Sequence, residues 1–165
     1  MNMNENYHTG WTIKASKSVH YEIRYAANIF DTNDLTLVGN VTNGRRLIVV
    51  DSFILKKFRQ EIDSYFKANT NNFVIYPVEI NEENKDLETA LSIVQCMENF
   101  GLLRKSEPII AIGGGGLLDT VGFACSIYRR GVPYLRVPTT LLSIVDVSVA
   151  IKTAVNHFGR RNRLG

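Results

Sequence analysis

Cysteine and histidine are scarce in this chain of 165 residues, with two of the first and three of the second. Cys96 and Cys125 stand far apart in apolar surroundings without CxxC spacing, which argues against a disulfide framework or a thiolate zinc cluster and fits a reducing cytoplasm. His8, His20 and His157 are scattered, with no partner at i+2 or i+4, so no protein-only metal site is predicted. The longest apolar runs are too short to cross a bilayer, and the polar start Met1 to Asn6 has no secretory apolar core. A frayed leader over residues 1–10 and no membrane partner are therefore expected. Also absent are the P-loop GxxxxGK[ST], the GxGxxG fingerprint and the GxSxG nucleophile elbow. Net charge is only +3, and the single dense basic run, Gly159 to Arg163, lies at the very end. That balance suits anionic small molecules, and no nucleic-acid partner is predicted.

What is present reads as one domain: 45% hydrophobic and 21% charged residues suffice for a single core. Trp11 to Arg24 alternates loosely and predicts an early strand or hairpin, and Asn28 to Asn43 a loop-rich connector. From Arg46 onward a unit repeats: a short apolar run, a turn, then helical spacing. Strands are predicted at Leu47–Asp51, Phe73–Pro77, Pro108–Ile112 and Tyr134–Val137. Helices are predicted near Ser52–Lys67 (with Phe53, Ile54, Phe58, Ile62 and Phe66 near one face), Lys85–Phe100 (carrying Leu87, Leu91, Val94, Met97 and Glu98), Leu117–Tyr128 and from Thr140. Strands without alternation, each followed by a helix, indicate an α/β fold: a Rossmann-like, three-layer parallel sheet domain over residues 11–165. Ligands are expected at the carboxyl ends of its strands. The ending Arg163-Leu164-Gly165 reads as an interruption.

Gly113-Gly114-Gly115-Gly116 joins the third strand to the third helix, so backbone amides can approach a diphosphate seated on the helix N-terminus. The plainer reading is a tight turn that needs positive φ. Asp119 is expected in the first helical turn, as a dipole partner or a ligand contact. Asp51 closes a strand, where it can accept bonds from ribose hydroxyls or cap the next helix. Thr139 and Thr140 can reach the same crevice or cap a helix. Asp146 and Lys152 place a carboxylate and an ammonium in an otherwise apolar stretch. Asn156 and Arg160 to Arg163 offer donors for a phosphate, or form a solvated loop.

Taken in order, Ile112-Gly113-Gly114-Gly115 with Asp119, Arg129-Arg130-Gly131, Val137-Pro138-Thr139-Thr140, Asp146 with Lys152-Thr153, and Asn162-Arg163-Leu164-Gly165 closely resemble the dehydroquinate synthase superfamily. Ala150-Ile151 before the lysine, Arg129-Arg130-Gly131 and Asn162-Arg163-Leu164-Gly165 look more like its sedoheptulose 7-phosphate cyclases, such as 2-epi-5-epi-valiolone and demethyl-4-deoxygadusol synthases. The resemblance implies an NAD-dependent, phosphate-eliminating lyase that closes a carbocycle. It implies that Gly114, Gly115, Gly116, Leu117 and Leu118 lie against the NAD pyrophosphate with Asp119 beside them. Asp51 would take the adenosine ribose, Glu82 and Lys85 the adenosine side, and Thr139 and Thr140 the nicotinamide half, with Arg161 in place of a common lysine. Lys152, Asp146, Asn162 and Arg130 would face a sugar phosphate, Arg130 reaching a neighbouring subunit's site in a homodimer. Gly116 and Leu118 depart from the family's usual branched and small residues. A divalent metal, zinc or cobalt, would be held by a second, helical domain, without which turnover is not expected.

Overall fold

The computed structural model describes residues 10–16, 18–39 and 44–165. The predicted leader therefore lies outside the described residues, except for Gly10. Four parallel strands form the main sheet: β1 (Arg45–Asp51), β2 (Asn72–Val78), β3 (Ile109–Gly113) and β4 (Tyr134–Pro138), in the order β2-β1-β3-β4. Helix α1 (Ser52–Asn69) follows β1, α2 (Leu87–Phe100) follows β2 and α3 (Gly115–Ile127) follows β3.

The strands read as unbroken apolar runs because both faces of the sheet are covered. In β1, Ile48 and Val50 point into one core with Ile62, Tyr65 and Phe66 of α1. Leu47 and Val49 point into the other, with Ile93 and Met97 of α2 and Leu117 and Val121 of α3. This is the predicted three-layer α/β arrangement. Two apolar residues of the predicted helices are on the outside, however: Phe53 is 72% exposed and Leu91 48%. Phe53 precedes a break in helical geometry at Phe58 (φ −121°), and the buried stripe of α1 runs through Leu55, Ile62 and Phe66. In α2 the buried residues are Ala90, Ile93 and Met97, of which the predicted face contained Met97 alone.

Helix ends follow local chemistry. Asp86 caps α2 by accepting the Thr89 amide at 2.8 Å, and Gly101 closes it with φ +63°. The predicted start at Lys85 is thus displaced to Leu87.

Two predictions fail, and the solvated-loop alternative for the tail falls with them. The described residues between Trp11 and Arg24 contain no strand, and Trp11 is 98% exposed. They pair with neither edge strand of the sheet, β2 or β4, and Tyr21 donates its hydroxyl to the Val149 carbonyl. After β4 the predicted apolar helix from Thr140 shrinks to a short turn ending in π geometry over Ser143–Val147. The Arg136 guanidinium draws the next carbonyls off the helical path, donating to Val147, Ser148 and Ala150. The basic tail is not a loop but a hairpin of β5 (Val155–His157) and β6 (Arg160–Leu164). Its two-residue turn, Phe158 (φ 52°) and Gly159 (φ 65°), has left-handed backbone at both positions, as a type I′ turn requires. No helix of the described residues is long and apolar enough to cross a membrane.

Candidate functional site

The strand order reverses between β1 and β3, so their carboxyl ends open a crevice at Asp51 and Gly113. None of the four glycines there has positive φ, so the plain turn explanation for the run is overturned. Close approach is the reason instead. A Cβ on Gly113 would stand 2.5 Å from Leu117 Cδ2 and 3.3 Å from Asp51 Cβ. Gly114 is the N-cap of α3 and lends no side chain to it, so the amides of the first turn stay available. Thr140 Cγ2 flanks the position of a Gly114 methyl at 3.4 Å, and Val147 Cγ2 that of a Gly115 methyl at 3.1 Å. The result is a backbone-lined concavity with the positive end of a helix at its floor.

Because α3 begins inside the glycine run, at Gly115, Asp119 falls beyond the first turn, which carries no acidic residue. Leu117 and Leu118 are fully buried in the core, so both meet the concavity through backbone only. The Leu118 amide is already given to the Gly114 carbonyl at 3.1 Å.

Asp51 realises the capping alternative: its Oδ1 accepts the amides of Phe53 (2.9 Å) and Ile54 (3.3 Å). Its Oδ2 has no hydrogen bond among the described residues. Thr139 fixes the exit from β4 by donating its amide to the Gly113 carbonyl at 3.0 Å. Thr140 likewise caps, exchanging bonds with Ser143, and both threonines are exposed beside the glycines.

Across the crevice, the loop 79–86 is shaped by Asn81 and Asn84, two residues not singled out from the sequence. Asn81 Oδ1 accepts the amides of Glu83 and Asn84, and Asn84 Oδ1 accepts that of Asn81. The signal was there, since Asn-x-x-Asn is turn-forming chemistry. Glu82 meets the hairpin through Asn156 (3.0 Å) and Arg161 (3.3 Å). Lys85 is buried, its ammonium 2.6 Å from Asp119 and 2.8 Å from Asn162. A cleft of about 490 Å³ runs between this loop and the hairpin, lined among others by Glu82, Asp86, Asn156, Phe158 and Arg161.

Asp146 and Lys152 are both exposed on the segment after β4, and no ion pair joins them among the described residues. Arg130 is not brought to the crevice. It follows the far end of α3, whose thirteen residues span about 20 Å. No group of three potential metal-binding side chains occurs among the described residues.

A family profile described as 3-dehydroquinate synthase N-terminal matches residues 75–165. The chain belongs to that family. Its curated relatives include 2-epi-5-epi-valiolone synthase of Streptomyces albus, 46% identical over 160 residues, which cover 94% of this chain and 39% of the relative. Demethyl-4-deoxygadusol synthase of Trichormus variabilis is 37% identical over 95% of this chain and 38% of its own length. The solved 2-epi-5-epi-valiolone synthase of Streptomyces hygroscopicus subsp. jinggangensis, with NAD+ and Zn2+ bound, superposes with a TM-score of 0.86 at 34% identity, covering 94% of this chain and 42% of that one. The chain of this dehydroquinate synthase family member thus spans about two fifths of the length of the relatives it matches.

Proposed function

We propose that this chain is the nucleotide-binding part of an NAD-dependent sugar phosphate cyclase acting on sedoheptulose 7-phosphate to give a valiolone- or gadusol-type cyclitol. The observation that carries the reading is the uncapped, glycine-lined start of α3 at the strand-order reversal, in a chain 46% identical to a valiolone synthase. The chemistry that NAD supplies when bound is removal of hydride from a substrate carbinol carbon and its later return.

The remaining work falls to side chains and backbone of this chain. The first-turn amides of α3 donate to a pyrophosphate that side-chain bulk at residues 114–116 would exclude. Asp51, with Oδ1 held by α1, offers Oδ2 to ribose hydroxyls. Thr139 and Thr140 flank the nicotinamide half. Lys152 and Asn162 hold the phosphate of the sugar, where a fixed cation stabilises developing anionic charge once water is excluded. Asp146 orients a substrate hydroxyl as acceptor. Arg130, remote in its own chain, serves a neighbouring copy's site in a cytoplasmic homodimer. The described residues bring together no set of side chains that fits a divalent ion.

Calorimetric titration of NAD into the 165-residue chain tests this, beside Gly114→Ala. Residue 114 has φ −77° and a methyl there makes only ordinary contact with Thr140, so the variant folds. Saturable binding weakened about tenfold or more in the variant, a loss of about 1.4 kcal/mol, supports the reading. Folded wild-type chain that takes up no NAD refutes it. Phosphate release from sedoheptulose 7-phosphate by the intact protein then distinguishes this cyclase from a dehydroquinate synthase, which uses a different seven-carbon phosphate.

A further inference from the structure

The resemblance put Lys85 on the adenosine side of the cofactor, yet its ammonium is turned inward. Lys85 is 7% exposed, and two of its three N–H donors are committed, to Asp119 Oδ2 at 2.6 Å and Asn162 Oδ1 at 2.8 Å. Asp119 lies on α3, whose first turn is the glycine cradle, and Asn162 lies on β6. One part-buried ion pair with a neutral third member therefore ties the cradle to the hairpin.

The tether is not a lone contact. The Asn156 amide donates to the Lys85 carbonyl at 2.7 Å, the Asn156 side chain donates to the Glu82 carbonyl at 2.9 Å, and the Asn162 amide donates to Asn156 Oδ1 at 2.8 Å. Asn162 itself holds φ 50°, a left-handed conformation that asparagine tolerates better than most residues. Its backbone amide is thus held by Asn156 of β5, which is itself tied to Glu82 and Lys85, and its carboxamide oxygen by Lys85 directly. With Oδ1 accepting from Lys85, the two N–H donors of Nδ2 must point away from the ammonium. Asn162 is exposed, so they point outward.

We propose that Lys85 is a positioning residue: it fixes the orientation of the Asn162 carboxamide, so that its donors face the sugar phosphate, and couples that orientation to the glycine helix through Asp119. The substrate side of this inference rests on the function proposed above; the clamp itself does not. Removing the ammonium frees the carboxamide to flip, presenting an oxygen to an anionic ligand, and leaves Asp119 without its cation. A direct nucleotide contact by Lys85 would act on NAD affinity and leave the hairpin alone.

A double-mutant cycle with Lys85→Met and Asn162→Ala in the intact protein separates the two. Each single variant is expected to raise the KM for sedoheptulose 7-phosphate about tenfold or more, as loss of a charged-group hydrogen bond does, with NAD affinity changed by less than about threefold. The double variant is expected to be no worse than the poorer single one, because both remove the same orientation. Effects that multiply, or a tenfold or larger loss of NAD affinity confined to Lys85→Met, overturn the proposal. A second readout is hydrogen exchange on the 165-residue chain without ligand. Lys85→Met should speed the amides of residues 160–164 about tenfold or more while those of β1 to β4 keep their protection. Unchanged hairpin protection overturns the clamp. Should the wild-type protein release no phosphate from the sugar, the functional reading fails, and the exchange measurement still decides the clamp.

Discussion

At Gly122 a single hydrogen in place of a methyl group decides how β4 and the segment after it sit on α3. A Cβ there would overlap Thr153 Cγ2 and stand 2.6 Å from the Tyr134 hydroxyl. Burial pushes the Tyr134 phenol above its usual pKa, the nearby Arg136 guanidinium notwithstanding, so this hydroxyl stays neutral and cannot move out as a phenolate. Gly122→Ala should therefore destabilise the chain by about 1–3 kcal/mol, the usual cost of overpacking, seen as a lower urea midpoint. A midpoint equal to wild type would show that the 134–153 contact gives way freely. The contrast with Gly114 is instructive. There an alanine is sterically quiet within the protein, so whatever it disturbs lies outside the chain. Their different roles come from what lies opposite each of them.

Among the elements, the turn after β4 owes its shape to one side chain. Arg136 lies 5.1 Å from the Tyr134 ring centroid and 5.8 Å from that of Tyr21, and its guanidinium collects carbonyls of the 147–150 segment. Hydrogen bonds to a charged donor contribute about 1.5–3 kcal/mol each. Arg136→Met should thus let residues 141–152 open and be cleaved by a nonspecific protease about tenfold faster, with β1 to β3 still protected. Cleavage at the wild-type rate would mean that the turn holds by itself. The hairpin β5–β6 is the opposite case, since its turn is local. Phe158 is a poor residue for left-handed backbone, at a cost of about 1–2 kcal/mol, which is why Phe-Gly between basic residues did not read as a hairpin turn. The tether to Glu82 and Lys85 offsets that cost, and tethers of this kind leave no periodicity to read.

Over the whole molecule, one ion pair joins three parts of the fold. Glu107, just before β3, takes both Nε and Nη2 of Arg45 at 2.9 Å, while Arg45 also donates to the Phe100 and Gly101 carbonyls that end α2. Burial by itself raises the Glu107 carboxyl, but the bonds from Arg45 and the Leu103 amide outweigh it and hold the group below the usual carboxylate range. A carboxyl depressed in the folded state stabilises at every pH above its unfolded value, about 4.3, and loses that contribution as pH falls through the folded value. Glu107→Gln should accordingly lower the urea midpoint at pH 7, and the gap to wild type should narrow at pH 3. A gap that is constant with pH would assign the effect to packing. Elsewhere the molecule leaves Leu141, Leu142, Ile144, Val145 and Ile151 exposed on one segment, more apolar surface together than single scattered residues explain. The sequence alone determined the order and type of β1 to β4 and α1 to α3, because burial on both faces writes unbroken apolar runs and helical stripes into the chain. It also placed the glycine run, Asp51 and the paired threonines at the carboxyl ends of strands, since backbone approach and capping demand particular residue types. Tertiary structure alone decided that the early segment forms no strand, that the tail folds into a hairpin, that Lys85 faces Asp119 and Asn162, and that Arg130 lies far from the crevice. Those outcomes depend on contacts between residues tens of positions apart, whose partners no local pattern names.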